Sequence, residues 1–293
     1  MKVDYPSYAT VIEQLRGSVR HDTVNTYHIV LSLLSYILAQ PQTEILKNLD
    51  KQLTIKQLEL LGTVISKLES QTPLSYILGN NNFYGLDFLV TKEVLIPRPE
   101  TELLVSLILN YLDTKPKMHH VKVLEVGTGS GCIPISILTN SNRNLAISSI
   151  DISPTALTIA KQNAELLLSR EQSEKILFIC KNILTEAIAG KYDIIVSNPP
   201  YISEKEYTQL DSSLYYEPKI ALTDQFDGLT FYRKFIDLIN VNLSPSGVAF
   251  FEIHSAFAKK VENIFNNGVL RQNKCIIHKD LFGRDRVIEI KSI

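Results

Sequence analysis

Beyond residue 121, short apolar runs alternate with segments of helical spacing, and no other feature of the chain restricts its fold so tightly. The strand-like runs are Val121–Val126, Ala146–Asp151, Ile176–Cys180, Tyr192–Ser197 and Val248–Ile253. Helical patterns lie between them at Ile133–Leu138, Pro154–Leu168 and Leu229–Val241, and Phe257–Phe265 follows the fifth strand. Strands joined through helices run parallel, since a tight turn cannot return the chain to the starting end of a sheet. The helices then cover both faces. A continuous run such as Tyr192–Ser197 (YDIIVS) suits a strand buried on both sides. Lys274–His278 and Val287–Ile290 flank a turn at Gly283, a connection short enough to make them antiparallel.

The first part of the chain has a different period. Apolar residues recur at helical spacing in Tyr8-Val11-Ile12-Leu15, through Ile29 to Leu38, and from Leu53 to Leu68. Thr23, Thr43 and Thr54 are placed to cap helix starts, and Gln71-Thr72-Pro73 ends the pattern. Turn-forming Asn80-Asn81-Asn82, Gly85 and Asp87 among aromatic residues suggest a hairpin. Ile96-Pro97-Arg98-Pro99-Glu100 then leads into a helix from about Thr101 to Leu112. The expected division is a small all-α domain over 1–72, a β-hairpin linker over 73–95 and an α/β domain over 96–293. A net charge of −1 argues against a dedicated nucleic-acid binder, which carries a basic face. The most apolar window, His28–Ala39, is shorter than the ~20 residues a bilayer requires. The opening MKVDYPSYATV lacks the basic-then-apolar pattern of a signal. Cys132, Cys180 and Cys275 show no metal-binding spacing and read as buried, reduced thiols of a cytoplasmic protein, with no metal expected.

The first strand runs into Glu125-Val126-Gly127-Thr128-Gly129-Ser130-Gly131. Alternate glycines let the backbone turn sharply and approach a ligand closely. Asp151 ends the second strand, where an acidic side chain can hold both hydroxyls of a ribose. The glycine spacing departs from the dinucleotide fingerprint, and Glu125 sets negative charge beside the loop. Such a site repels pyrophosphate and welcomes an ammonium. A ligand with a ribose and positive charge but no phosphate is S-adenosylmethionine (SAM). Its adenine is expected near Asn182 and Ile183, after the third strand.

The fourth strand ends in Asn198-Pro199-Pro200-Tyr201. Two prolines fix φ twice and remove two N–H donors. The Asn198 side-chain carbonyl and the Pro199 main-chain carbonyl can accept both hydrogens of a planar NH₂ group, and Tyr201 offers a face for stacking. Two acceptors raise electron density on a poorly nucleophilic nitrogen and aim it at a sulfonium methyl. A nucleobase amino group and a glutamine amide both meet this description.

Several longer stretches carry a resemblance. FYGLDFLVTKEVLIPRPETELLV (83–105), VLEVGTGSGCI (123–133), VSNPPYI (196–202), YEPKIAL (216–222), DGLTFYRKFI (227–236) and KDLFGRDRVIEI (279–290) are similar to the PrmC/HemK family, SAM-dependent glutamine N5-methyltransferases of peptide-chain release factors. The run Ile96–Glu102 is its most specific part, because the sister family acting on a ribosomal protein differs after the Pro-Arg pair. The resemblance implies a class I SAM-dependent methyltransferase fold, Rossmann-like with an antiparallel last strand. It implies a target glutamine in the Gly-Gly-Gln loop of class I release factors, docked partly through the helical domain and hairpin. Nucleic-acid amino-group methylation is the alternative. By position, Gly127 to Gly131 and Asp151 would bind SAM, Asn198 to Tyr201 would hold the amide, and Arg98 and Glu100 would border the site. His254 stands where the family often has glycine, and Asn182 where it often has aspartate. His254 reads as a local substitution.

Overall fold

The structure, a computed structural model, describes residues 5–18, 23–116, 120–269 and 273–292. Residues 1–4, part of the opening segment read for a signal, lie outside these. Two compact units emerge: Met1–Gly79 with Ser212–Tyr216, and Asn80–Asp211 with Glu217–Ile293.

In the first unit, helices Tyr8–Ser18, Thr23–Leu38, Gln42–Leu46, Ile55–Glu69 and Leu74–Leu78 bury Val11, Leu15, Val30, Leu33, Leu34 and Ile45 together. Thr54 caps its helix reciprocally with Gln57, as its position predicts. Thr43 does not cap; it lies inside the first turn of a helix that Pro41 precedes. Thr23 begins its helix, and its side chain lies outside the described residues. Ser212 and Tyr216 belong to this unit through hydrogen bonds from their hydroxyls to Gln71 and to the Ser70 carbonyl.

In the second unit, β1 (Asn80–Phe83) and β2 (Leu86–Leu89) form a hairpin. The turn is Tyr84-Gly85, both at positive φ, the geometry that suits a two-residue connection. Asn80 to Asn82, expected as turn residues, are instead strand residues. The main sheet contains β3 (His120–Val126), β4 (Asn144–Asp151), β5 (Ile176–Cys180), β6 (Tyr192–Ser197), β7 (Leu243–Glu252), β8 (Asn273–Lys279) and β9 (Asp285–Ser292). Its order is β5-β4-β3-β6-β7-β9-β8. Neighbours from β5 to β7 run parallel, and β9 is antiparallel to both β7 and β8. One face packs on Leu104, Ile108 and Ile135, the other on Tyr232, Phe235 and Phe265. Both faces are thus covered, as continuous apolar strands require. Strand order reverses between β3 and β6, so the glycine loop and the Asn-Pro-Pro-Tyr corner leave the sheet side by side. The Ser197 hydroxyl donates to the Val126 carbonyl at 2.7 Å, pinning these two strand ends together.

Candidate active site

A cleft of about 270 Å³ opens at this switch point. Its lining includes Gly127, Gly129, Asp151, Asn182, Ile183, Asn198, Pro199 and Pro200. Behind the lining the glycine loop is held by its own N–H groups. Gly127 and Thr128 donate to the Ile150 carbonyl, Gly131 donates to Thr128, and Gly129 donates to the Asp151 carboxylate at 2.9 Å. A loop that cradles phosphate aims such groups at the ligand; here they are committed elsewhere. Asp151 also accepts from the Ser153 N–H at 2.9 Å. A carboxylate has about four acceptor positions, so it keeps capacity for hydroxyl donors. Burial raises its pKa, against the pull of those N–H groups. Gly131 serves packing: a Cβ there would meet Ala160 at 3.2 Å, and its φ is +80°.

Glu125 is not at the cleft surface. It is 1% exposed beneath the loop, accepting from Thr128 at 2.5 Å and Ser149 at 2.7 Å. Burial pushes its carboxyl up to about 7, with Asp151 adding repulsion and the two hydroxyls opposing. Buried at this depth, the carboxyl does not set its charge at the cleft surface beside the loop. Thr128, Ser130 and Gly131 likewise build the loop from behind. Asn182 caps the turn after β5, its Oδ1 accepting from the Leu184 N–H at 3.0 Å.

The Asn198 corner rests on a buried network. Asn198 Nδ2 donates to Thr101 Oγ1 at 3.1 Å, and the Thr101 hydroxyl donates to Glu252 Oε2 at 2.7 Å. Tyr201 donates to Glu252 Oε1 at 3.3 Å, and Tyr232 donates to the Glu252 main-chain carbonyl at 2.8 Å. Tyr201 thus has its hydroxyl turned inward; burial is the first cause that holds its pKa above the usual phenol value, and the Glu252 charge adds to it. Burial also lifts Glu252 to about 7; the Thr101 hydrogen bond, Arg286 and Tyr201 oppose this, and Glu100 adds to it.

The motif Ile96–Glu102 acquires partners residue by residue. Glu217, nearly buried, accepts from the Ile96 N–H at 3.0 Å and pairs with the Arg98 guanidinium. Asn81 Nδ2 donates to the Pro97 carbonyl, and Glu102 accepts from the Tyr84 N–H in the hairpin turn. Thr101, Glu217 and Glu252 escaped notice in the sequence as functional side chains. The available signal was a glutamate closing an apolar strand, as in VKVLEV and again in GVAFFE. His254 is half-buried, with its ring centroid 5.9 Å from that of Tyr201 and 5.3 Å from that of Phe257, and its buried Nδ1 finds no hydrogen-bond partner among the described residues. Cys132 is buried as expected, whereas Cys275 is half-buried and Cys180 is exposed at the end of β5, the edge strand of the sheet.

Sheet order, the switch-point cleft and a glycine loop turned away from phosphate define a class I methyltransferase. A family model described as Methyltransferase small domain matches residues 101–223. The release factor glutamine methyltransferase of Flavobacterium psychrophilum is 39% identical over 247 residues, which cover 83% of this chain and 84% of that protein. Its counterpart from Lactococcus lactis is 38% identical over 242 residues, 82% of this chain and 85% of its own. Among solved structures, the hMettl16 catalytic domain in complex with the MAT2A 3′UTR hairpin 6 superposes with a TM-score of 0.56 at 14% identity, covering 77% of this chain and 81% of that one; it shows the fold alone. The chain belongs to the release factor glutamine methyltransferase family.

Proposed function

We propose that this enzyme transfers a methyl group from SAM to the side-chain amide nitrogen of the glutamine in the Gly-Gly-Gln loop of class I release factors, in the cytoplasm. The observation that carries the reading is that the Asp151 carboxylate, the glycine loop and the Asn198-Pro199 acceptors share one cleft. The residues present fit SAM: the N–H groups of Gly127, Thr128, Gly129 and Gly131 are already taken, so the site is poorly suited to phosphate, and Asp151 retains acceptor capacity for a ribose. In this reading Asp151 holds the ribose hydroxyls, Gly127 and Gly129 allow close approach, and Ile183 with the Asn182 turn borders the adenine. When bound, SAM supplies an electrophilic methyl group on a sulfonium that departs as a neutral thioether.

The protein's part is positioning. Asn198 Oδ1 and the Pro199 carbonyl accept the two hydrogens of the target NH₂. That fixes its plane and raises electron density on a nitrogen whose lone pair is delocalised into the neighbouring carbonyl. No strong base is required, because the nitrogen becomes acidic once alkylated and its extra proton leaves to water. The helical unit is assigned to docking the release factor.

Transfer of labelled methyl to purified release factor, with bulk DNA and RNA offered in parallel, tests the reading. Label is expected on the factor alone and lost when its loop glutamine is replaced. Label on nucleic acid would transfer the same clamp to a nucleobase amino group and overturn the protein substrate.

A further inference from the structure

Asn198 must present an acceptor to the target amide, yet its side chain is nearly symmetric in shape. Rotating the terminal amide by half a turn exchanges Oδ1 for Nδ2 with little steric change. Hydrogen bonds behind the residue therefore decide which end faces the cleft. Thr101, 2% exposed, lies there and has one hydroxyl hydrogen. That hydrogen is given to Glu252 Oε2 at 2.7 Å, so toward Asn198 Thr101 can only accept, and it does so from Nδ2 at 3.1 Å. The second carboxylate oxygen receives the Tyr201 hydroxyl at 3.3 Å. An ionised carboxylate accepts only, so both hydroxyls point inward to it and the order of donors is set along the whole chain of bonds.

We propose that Thr101 and Glu252 are positioning residues that set the polarity of the Asn198 amide: the ionised carboxylate orients the Thr101 hydroxyl, which holds Nδ2 back and turns Oδ1 toward the substrate. The inference rests on the amide-clamp reading of Asn198. Its consequence is a titration. A protonated Glu252 can donate to Thr101 Oγ1, freeing the threonine hydrogen to seek Oδ1. The amide then turns round and presents N–H to N–H, which repels. The groups facing Glu252 come from every element around it: Thr101 and Glu100 from the Arg98–Thr101 turn, Tyr201 beyond β6, Tyr232 on its helix, Cys132 below the glycine loop and Arg286 on β9. Arg286 favours the ionised form but shares its charge with Asp280, at 3.3 Å; Glu100 opposes ionisation.

The test is single-turnover methylation of release factor from pH 5.5 to 8.5, with SAM affinity measured by calorimetry at each end. The wild-type rate should fall on the acid side with a midpoint near the value of about 7 that burial gives Glu252. Thr101→Val should lower the rate at pH 8 about ten- to hundredfold, with SAM affinity within about twofold, and should lack the acid limb. Thr101→Ser should restore both rate and limb. Glu252→Gln, which cannot titrate, should also lack the limb, and decides the matter if the valine variant does not fold. Thr101→Val within about threefold of wild type, or an acid limb that survives in Glu252→Gln, overturns the relay. Asn198→Ala separates the two levels. If it turns over like wild type, the clamp itself is wrong; if it is inactive while Thr101→Val behaves as wild type, only the relay is wrong.

Discussion

At the scale of single residues, Asp224 shapes the wall beside Tyr201. Its carboxylate accepts from the Phe226, Gly228 and Thr230 N–H groups, folding Thr223–Thr230 into a tight loop. That loop brings Gly228, at φ +79°, against the Tyr201 carbonyl, where an added Cβ would lie 2.5 Å from the oxygen. Gly228→Ala should therefore destabilise the protein by about 2 kcal/mol or more and depress turnover, because the corner itself has to shift. Denaturant titration together with turnover checks this; an alanine variant as stable and active as wild type would mean the close approach is not required. Asp151 differs in that the role proposed for it is a ligand contact. Asp151→Ala should weaken SAM binding roughly ten- to hundredfold, the worth of a charge-assisted hydrogen bond. Some of that loss comes from the released Gly129 N–H. Calorimetry reads it directly, and unchanged affinity would remove Asp151 from the ribose.

At the scale of elements, the hairpin is tied to the glycine loop by one side chain. Asn163, fully buried on the Pro154–Leu167 helix, accepts from the Leu89 N–H at 2.7 Å and donates to the Leu89 carbonyl at 3.0 Å, so it pairs with β2 as a neighbouring strand would. Its remaining amide hydrogen goes to the Ser130 carbonyl at 2.9 Å, inside the glycine loop. Asn163→Ala leaves three main-chain groups without this partner, and buried unsatisfied groups cost about 1–3 kcal/mol each. The expected result is faster amide exchange in β1–β2 and weaker SAM binding, although Asn163 does not line the cleft. Hydrogen exchange and calorimetry on the same sample test both; a loosened hairpin with unaltered SAM affinity would show the two elements to be independent. The hairpin's other end is held by Glu102 on the Tyr84 N–H, so the Ile96–Glu102 run is an anchoring segment, and none of its residues, Arg98 and Glu100 included, lines the cleft.

At the scale of the whole molecule, two buried carboxyls tie stability to pH. Glu125 and Glu252 both have folded pKa values raised to about 7, first by burial. A raised acid contributes stability fully below its unfolded pKa of 4.5 and loses it as pH rises through about 7. Each is worth on the order of 3 kcal/mol across that window. Asp227, Asp280, Glu206 and Glu289 are shifted down, so their contributions are present at neutral pH and fade under acid conditions. Stability should therefore peak at mildly acidic pH, where turnover is falling. Melting curves from pH 5 to 8 should slope downward for wild type and flatten for Glu125→Gln combined with Glu252→Gln; an equal slope in both would sink this account. The same scale separates what was legible early from what was not. Period, strand–helix alternation and local spacing act within one strand, one turn or one helix, so the amino-acid sequence alone determined the α/β class, the antiparallel close, the glycine loop, Asp151 and the Asn198 corner. It also misread features whose surroundings are distant: the asparagines of β1, the depth of Glu125 and the exposure of Cys180. Only the tertiary structure decided the network behind the corner. Thr101 meets Glu252 across 151 positions, Asn198 meets Thr101 across 97, and Ile96 meets Glu217 across 121. Those partners are chosen by sheet order and by which helices share a face. Most buried polar groups find a partner, but local pattern does not say which one the packing will bring.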